Sequence, residues 1–487
     1  MGSLFNEMIS PRIWLLLFAV AVFLSFSHSF LHFGTGCENA ISNTLFVFSA
    51  TLLLGAYGES IEYNNSRVQL PREMNVYNGV VLSQPVCHGK VFQMDMIITD
   101  GTLAGRKIKA SALSGSVCNL EIGDGVEFYG RLETPKNYDS SFDYKLFLMH
   151  HGYIAQTFIT EDNYTKCCLK LNQLSVLSRC VIRLRKLRGD IIGKYLSSGD
   201  NNHDATEVIA AIALGDKTGL TKELQNNYSI SGASHVLALS GLHLGIIYAF
   251  LLFLMGKRIK WWKELTVLSV IWTFVFLVGC SQSVVRSAIM ITIYGMVSLM
   301  KRNRMSLNTW AMALFFILIC NPWSLYDVGM QMSFMAVLSI LVYNRPLMHL
   351  LPVKTKVTKI LWGTVCVSLS AQIGVAPLVA FYFHRFSTLF IMTNFVVIPL
   401  TTIILYVVIC LFAFSFSPVI HDILLDVVCR LSSWMNKFVG WEAHLNCSSV
   451  ENINLSVLQV MGIYLLIISL TWLLLLKPKS VTKNLYQ

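Results

Sequence analysis

A chain of 487 residues in which 54% are hydrophobic and only 13% charged lies outside the proportions of a soluble globular protein, so the bilayer must be its main solvent. The net charge of +11 fits nucleic acid, anionic lipid or basic cytoplasmic loops equally well. The placement of the charges along the chain therefore carries more information than their sum.

Apolar runs approaching the ~20 residues that span a bilayer begin with Ile13 to Leu31 and Asn43 to Tyr57. Arg12 gives the first the look of a secretory signal, but the second follows so soon that both read as retained spans. From residue 70 to 160 short β-type runs, Val76 to Val81, Val91 to Ile98, Arg106 to Leu113 and Gly125 to Leu132, alternate with Gly and Asp turns. That pattern predicts a small β-barrel of OB size. Between residues 70 and 162 eight Lys and Arg stand against eleven Asp and Glu, so a spacer domain and a nucleic-acid-binding domain both remain open. Cys87 and Cys118 fall in this segment and can pair as a disulfide where it faces an oxidising compartment.

Over Leu169 to Leu196 an apolar stripe of Leu174, Leu177, Val181, Leu184, Ile191 and Tyr195 predicts an amphipathic helix. Lys170, Arg179, Arg183, Arg185, Lys186, Arg188 and Lys194 stand off the stripe. Such a helix either lies on anionic headgroups or guides phosphates to a pore mouth through cations such as Arg179, Arg183 and Lys186. A short helix follows from Asp204, with Glu207 as its capping partner, to Gly215.

Further apolar runs lie near Ala233 to Met255, Leu265 to Cys280, Val284 to Met300, Thr309 to Cys320, Val328 to Tyr343, Ile360 to Phe383, Leu389 to Phe414 and Leu455 to Leu476. Together with the first two they make about ten spans. Pro418 to Trp441 is an eleventh candidate, but Asp422, Asp426, Arg430 and Lys437 point to an interface or a pore rather than lipid. Basic loops around Lys257, Lys301, Arg345 and Lys477 place alternate connections in the cytoplasm and leave the β segment outside.

Polar groups interrupt the apolar helices. In SGASHVLALSGLHLG, read as one helix, Ser231, Ser234, His235, Ala238, Gly241 and Gly245 share a face. Small residues there suit close helix packing, while His235 and His243 suit a polar pathway. Arg286 stands three residues into a span, where it either snorkels to the interface or offers a cation to phosphate. Asp327, Gln331 and Ser333, Gln372 before Pro377, and Asn394 before Pro399 place polar groups beside expected helix breaks. No nucleotide-binding GxxxxGK[ST] loop, hydrolytic triad or zinc-type Cys/His spacing occurs, so no catalytic residue, metal or cofactor is assigned.

In their order, GDKTGLTKELQNNYSISGASHVLALSGLHLG, SVVRSAIM, DVGMQMSFMAV, SLSAQIGVAPL and TNFVVIP resemble the membrane domain of the ComEC-type competence proteins. Upstream, Asn137, Phe142, Asp143, Tyr144 and Gly152 match the end of that family's outer OB-type domain. The resemblance implies a polytopic α-helical protein of the bacterial cytoplasmic (inner) membrane with an inserted, extracytoplasmic OB-like β-barrel. Its layout is membrane helices at 1–60, the β domain at 70–160, connecting helices at 166–230, the channel domain at 231–476 and a basic cytoplasmic tail at 477–487.

The implied function is uptake of single-stranded DNA in natural transformation, with Ser240, Gly241, His243, Arg286, Gln331, Gln372 and Asn394 as motif positions of the core. Ser234 and His235 join them as pore candidates through their neighbouring face. Many family members carry a C-terminal metallo-β-lactamase-like domain. The sequence ends eleven residues after its last span without a His-x-His-x-Asp-His cluster, and so reads as a short form. Its expected partners are the DNA strand, membrane lipids, a cytoplasmic helicase-type motor and a separate nuclease; an oligomer is compatible with all of this. A transporter of another solute or lipid on the same scaffold, and a membrane enzyme using Asp327 or His243, are the competing readings.

Overall fold

The computed structural model describes residues 53, 55–64, 66, 68, 70–88, 91–113, 120–137, 143–167, 175–196, 203–256, 261–299 and 307–475. The span expected at Ile13 to Leu31, most of Asn43 to Tyr57, Phe142, Cys118, the side chain of Cys87 and the tail 477–487 lie outside the described residues. Two compact units interleave along the chain: Met1–Gly193 with Leu268–Ile293 and Ala311–Asp327, and Lys194–Val267 with Tyr294–Trp310 and Val328–Gln487.

The first unit holds a seven-stranded sheet of β1 (Asn75–Val81), β2 (Val86–His88), β3 (Val91–Ile98), β4 (Lys107–Leu113), β5 (Gly125–Gly130), β6 (Tyr153–Ile159) and β7 (Tyr164–Cys167). Alternation builds it: Met94, Met96 and Ile98 of β3 and Ile108, Ala110 and Ala112 of β4 point into one core with Phe128 and Ile159. The order is β6-β4-β3-β1-β5-β7 with β2 on β3. Every pairing is antiparallel except β4 with β6. Past β5, Glu133 and Gln156 exchange backbone hydrogen bonds of 2.9 and 2.8 Å, an isolated bridge to β6. Where the sequence suggests a closed barrel, the pairing path runs as a sheet that ends at β6 and β7.

A short helix, α1 (Tyr144–His150), precedes β6, and the basic helix predicted after the sheet is α2 (Val176–Tyr195). Ile182 is its buried anchor, packed on Val80 and Ile97 of the other sheet face.

Next come α3 (His203–Leu214), α4 (Lys222–Ile230), α5 (Ser234–Leu237) and α6 (Gly241–Met255). Then follow α7 (Trp261–Leu277), α8 (Gln282–Leu299), α9 (Leu307–Cys320), α10 (Val328–Met348) and α11 (Lys356–Phe383). The chain continues through β8 (Arg385–Ser387), α12 (Phe390–Ala413), α13 (Pro418–Ala443), β9 (Ser449–Glu451) and α14 (Val457–Leu475). Helices α8, α11 and α12 are long and apolar enough to cross a membrane, and α6, α9 and most of α14 are apolar but shorter. In the second unit α13 packs against α12, α3 and α4, and α10 lies along α11. Leu458, Leu465, Leu466 and Trp472 of α14 are exposed, as side chains facing lipid would be.

Two expectations about helix breaks are corrected. The segment read as one helix from Ala233 to Met255 is two helices, parted by extended backbone at Ala238 and Ser240. The shared face drawn through Ser231, Ala238 and Gly245 therefore does not exist. Conversely, Pro377 and Pro399 sit inside continuous helices. Each removes one N–H donor, which a helix packed among apolar neighbours tolerates.

Candidate functional site

The break at Ala238–Ser240 is made by the SGLH residues themselves. Ser240 is the N-cap of α6, and His243 reaches back to it. The Ser240 backbone N–H donates to His243 Nδ1 at 3.2 Å, and the Ser240 hydroxyl lies 3.0 Å from the same nitrogen. A nitrogen that accepts from a backbone N–H carries no proton, so the neutral ring holds its hydrogen on Nε2. His243 is fully buried, and Nε2 has no hydrogen-bond partner among the described residues. A buried donor left so costs about 1–3 kcal/mol.

Upstream, the small polar residues end α4. Ser231 and Ser234 hydroxyls donate to the Tyr228 carbonyl at 3.3 and 3.4 Å, and His235 Nδ1 lies 3.1 Å from the Gly232 carbonyl. Gly232 takes a left-handed φ of 80° that a side chain would strain. The Ser231 carbonyl then accepts from Ser387 at 2.9 Å and Thr393 at 2.8 Å. Thr393 Oγ1 also lies 2.5 Å from Glu442 Oε1 of α13, a residue with no exposed surface whose Oε2 has no partner among the described residues. The same hydroxyl lies 3.1 Å from the Leu389 carbonyl one turn earlier, so Thr393 ties the Ser231 carbonyl, Leu389 and Glu442 together at one oxygen.

The remaining polar candidates of this unit cross-tie helices. Tyr382 of α11 donates to Gln331 Oε1 of α10 at 2.8 Å, and Asn394 of α12 lies 3.4 Å from Ser368 of α11. Gln372 is half-buried on α11, two residues before Gly374. A β-carbon on Gly374 would meet the Met335 carbonyl at 2.8 Å and the Ser339 side chain closer still, so glycine permits the α10–α11 approach. Tyr464 of α14 donates to the Gly374 carbonyl at 2.7 Å.

In the first unit Arg286 is buried near the start of α8 and its Nη1 is ion-paired with Asp327 Oδ2. Asp327 is the C-cap of the 3₁₀ helix Pro322–Tyr326. The sequence singled out both residues without joining them.

A family model described as Competence protein matches residues 212–477, more than half of the 487 residues. The chain belongs to the competence protein family. The chain is 25% identical over 383 residues to ComE operon protein 3 of Bacillus subtilis (strain 168), covering 77% of this chain and 46% of that protein. It is 25% identical over 212 residues to the uncharacterized protein YcaI of Escherichia coli (strain K12), covering 40% of this chain and 27% of that protein. The chain thus spans less than half the length of these curated relatives. No solved structure matches it significantly.

The competence-family match takes in the SGLH turn, Glu442 and the α10–α11–α12 cross-ties, whereas the basic helix α2 lies upstream of it. Of the cations singled out there, Arg183 and Lys186 are exposed, Lys186 is 3.9 Å from Glu121, and Arg179 is half-buried. The residues that bind α2 to its surroundings are two others. Arg185 donates to the Leu82 carbonyl at 2.6 Å and the Gly279 carbonyl at 2.9 Å, and Arg188 to the Val278 carbonyl at 2.9 Å. Val278 and Gly279 follow the end of α7, where carbonyls lack helical partners and carry the negative end of the helix dipole. Helix α2 is therefore docked on the sheet and caps α7. Among the described residues no group of three His, Cys, Asp or Glu could hold a metal ion.

Proposed function

We propose that this chain forms the membrane passage through which one strand of DNA enters a bacterial cell during natural transformation. The observation that carries the reading is the competence-family match, which runs through the helices from α3 to α14. The name ComE operon protein 3, borne by a relative that covers 77% of this chain, supports it. So do the buried or half-buried His243, Gln331 and Asn394 in helices otherwise suited to lipid, since polar groups at membrane depth commonly mark a pathway.

The β domain is an OB-like barrel on the extracytoplasmic side. Parallel pairing of β4 with β6, together with the Glu133–Gln156 bridge that brings the end of β5 against β6, supports this. OB-like domains hold single strands along a groove. Ser234, His235, Ser240, Gly241, His243, Gln331, Gln372 and Asn394 border the route. Arg286, neutralised by Asp327, positions α8. The protein sits in the inner membrane as a multi-pass protein, and a helicase-type motor and a nuclease are the partners this function needs.

The test is uptake of fluorescently labelled DNA in a naturally competent host lacking the gene. Uptake falls to background and returns when the chain is supplied; undiminished transformation in the deletion strain refutes the proposal.

A further inference from the structure

Helix α13 presents two unlike faces. Val428, Cys429, Ser432, Met435, Val439 and Glu442 are buried against the second unit, while Asp422, Asp426, Arg430, Trp434, Lys437 and Trp441 are exposed. At 100° per residue Arg430, Trp434, Lys437 and Trp441 fall within an arc of about 60°, and together they extend about 16 Å along the axis. Trp434 is 70% and Trp441 54% exposed. Arg430, Trp434 and Lys437, with Leu431 and Ser433, line an open cavity of about 540 Å³. The Arg430–Asp426 pair, 2.8 Å apart and with side chains 80% and 53% exposed, is solvated and leaves the guanidinium able to change partner.

Lipid suits the exposed Val419, Ile423 and Val427 at the N-terminal end of this face but not its charges. Its charges run from Asp422 to Lys437, about 22 Å of a hydrocarbon core of about 30 Å, and charges at that depth are costly against acyl chains even when, like Arg430 and Asp426, they are paired. Water alone suits the cations but not two bare indoles a short way apart on the same stripe. A ligand that brings anions and flat apolar rings in alternation suits both.

We propose that the exposed stripe of α13 binds single-stranded nucleic acid, with Arg430 and Lys437 contacting phosphates and Trp434 and Trp441 stacking on bases. Aromatic platforms flanked by cations hold strands without regard to sequence, because every base offers a π-face. Asp422 and Asp426 repel phosphate and confine capture to the C-terminal half of the helix. This deepens the reading of the chain as a DNA passage and rests on it.

The experiment uses the full chain in nanodiscs of zwitterionic lipid and measures anisotropy of a fluorescein-labelled oligodeoxythymidine across a salt series. Trp434→Leu and Trp441→Leu each weaken binding by at least about fivefold, and Trp434→Phe keeps most of it. Arg430→Gln and Lys437→Gln each lower the slope of log affinity against log salt by about 0.7. If the unaltered chain binds the oligonucleotide and these variants bind it equally well, the stripe is not the site, while the proposed passage stands. If the unaltered chain does not bind at all, both fail. Variants that change the mass of the particle by native mass spectrometry, with affinity unchanged, make the stripe a contact between chains and overturn the proposal.

Discussion

Arg286 offers the sharpest test of whether a buried cation in this protein serves structure or ligand. Its side chain is 9% exposed and that of Asp327 20%, so neither charge is well hydrated, and Arg286 Nε has no partner among the described residues. Removing one member of such a pair leaves the other charged and buried, which costs about 3–5 kcal/mol. Removing both eliminates that penalty, so the double variant should be less destabilised than the sum of the singles by about 2–3 kcal/mol, the upper part of the range for contacting residues. Arg286→Ala, Asp327→Ala and the double variant are purified in detergent, and their unfolding free energies are compared at one temperature. Additive losses would refute the pairing. Arg286→Lys keeps the charge but loses the planar fork, and falls between wild type and Arg286→Ala.

Gly374→Ala drives a β-carbon against the Met335 carbonyl at 2.8 Å and against Ser339, and should destabilise the helix pair by about 1–3 kcal/mol in the same assay. Ser339→Ala should recover only part of this, because the backbone contact remains; full recovery would contradict the geometry. His150 of α1 stacks on Tyr326 at 4.6 Å and 17° and lies 5.2 Å from Trp323, and burial, then the neighbouring His151, holds its pKa below the usual imidazole value. The folded state then binds fewer protons than the unfolded one, so stability falls as pH drops below the unfolded value of about 6.5. His150→Phe should flatten the fall in thermal midpoint over that range, and parallel curves for the two proteins would exclude His150 as its source.

Most elements were legible because their signals are local. Period-two alternation placed Val91 to Ile98 on the strand observed, and hydropathy placed Pro418 to Trp441 within two residues of α13. Strands β2 and β7, of three and four residues, are too short to show a period. The helix breaks were read at the wrong places for a physical reason. Proline is a strong breaker in water but a weak one among packed apolar helices, whereas Ser240 and His243 end a helix through a reciprocal cap that leaves no mark in hydropathy. Cys320 lies in an apolar run yet is exposed, because such a run does not say which side of a helix meets the interior.

The site was half legible, and the missing half concerns partners. Six cations lie on α2, and spacing alone could not distinguish Arg185 and Arg188, whose carbonyl acceptors lie 90 to 103 residues away, from Arg183, which stays exposed. Likewise Gln331 and Asn394 read as pore-lining amides, yet each has a contact on a neighbouring helix. A polar group so engaged can border a passage but is not free to grip what moves through it. His243, with Nδ1 on the Ser240 backbone, and Glu442, with Oε1 on Thr393, each keep one side-chain atom without a hydrogen-bond partner among the described residues, and both are wholly buried. The first caps α6 at the SGLH turn, whereas the second closes a separate set of bonds through Thr393 and Ser231 at the end of α13. The exposed indoles and cations of α13 begin on the opposite face of the same helix, so one element carries both the buried polar end and the open stripe.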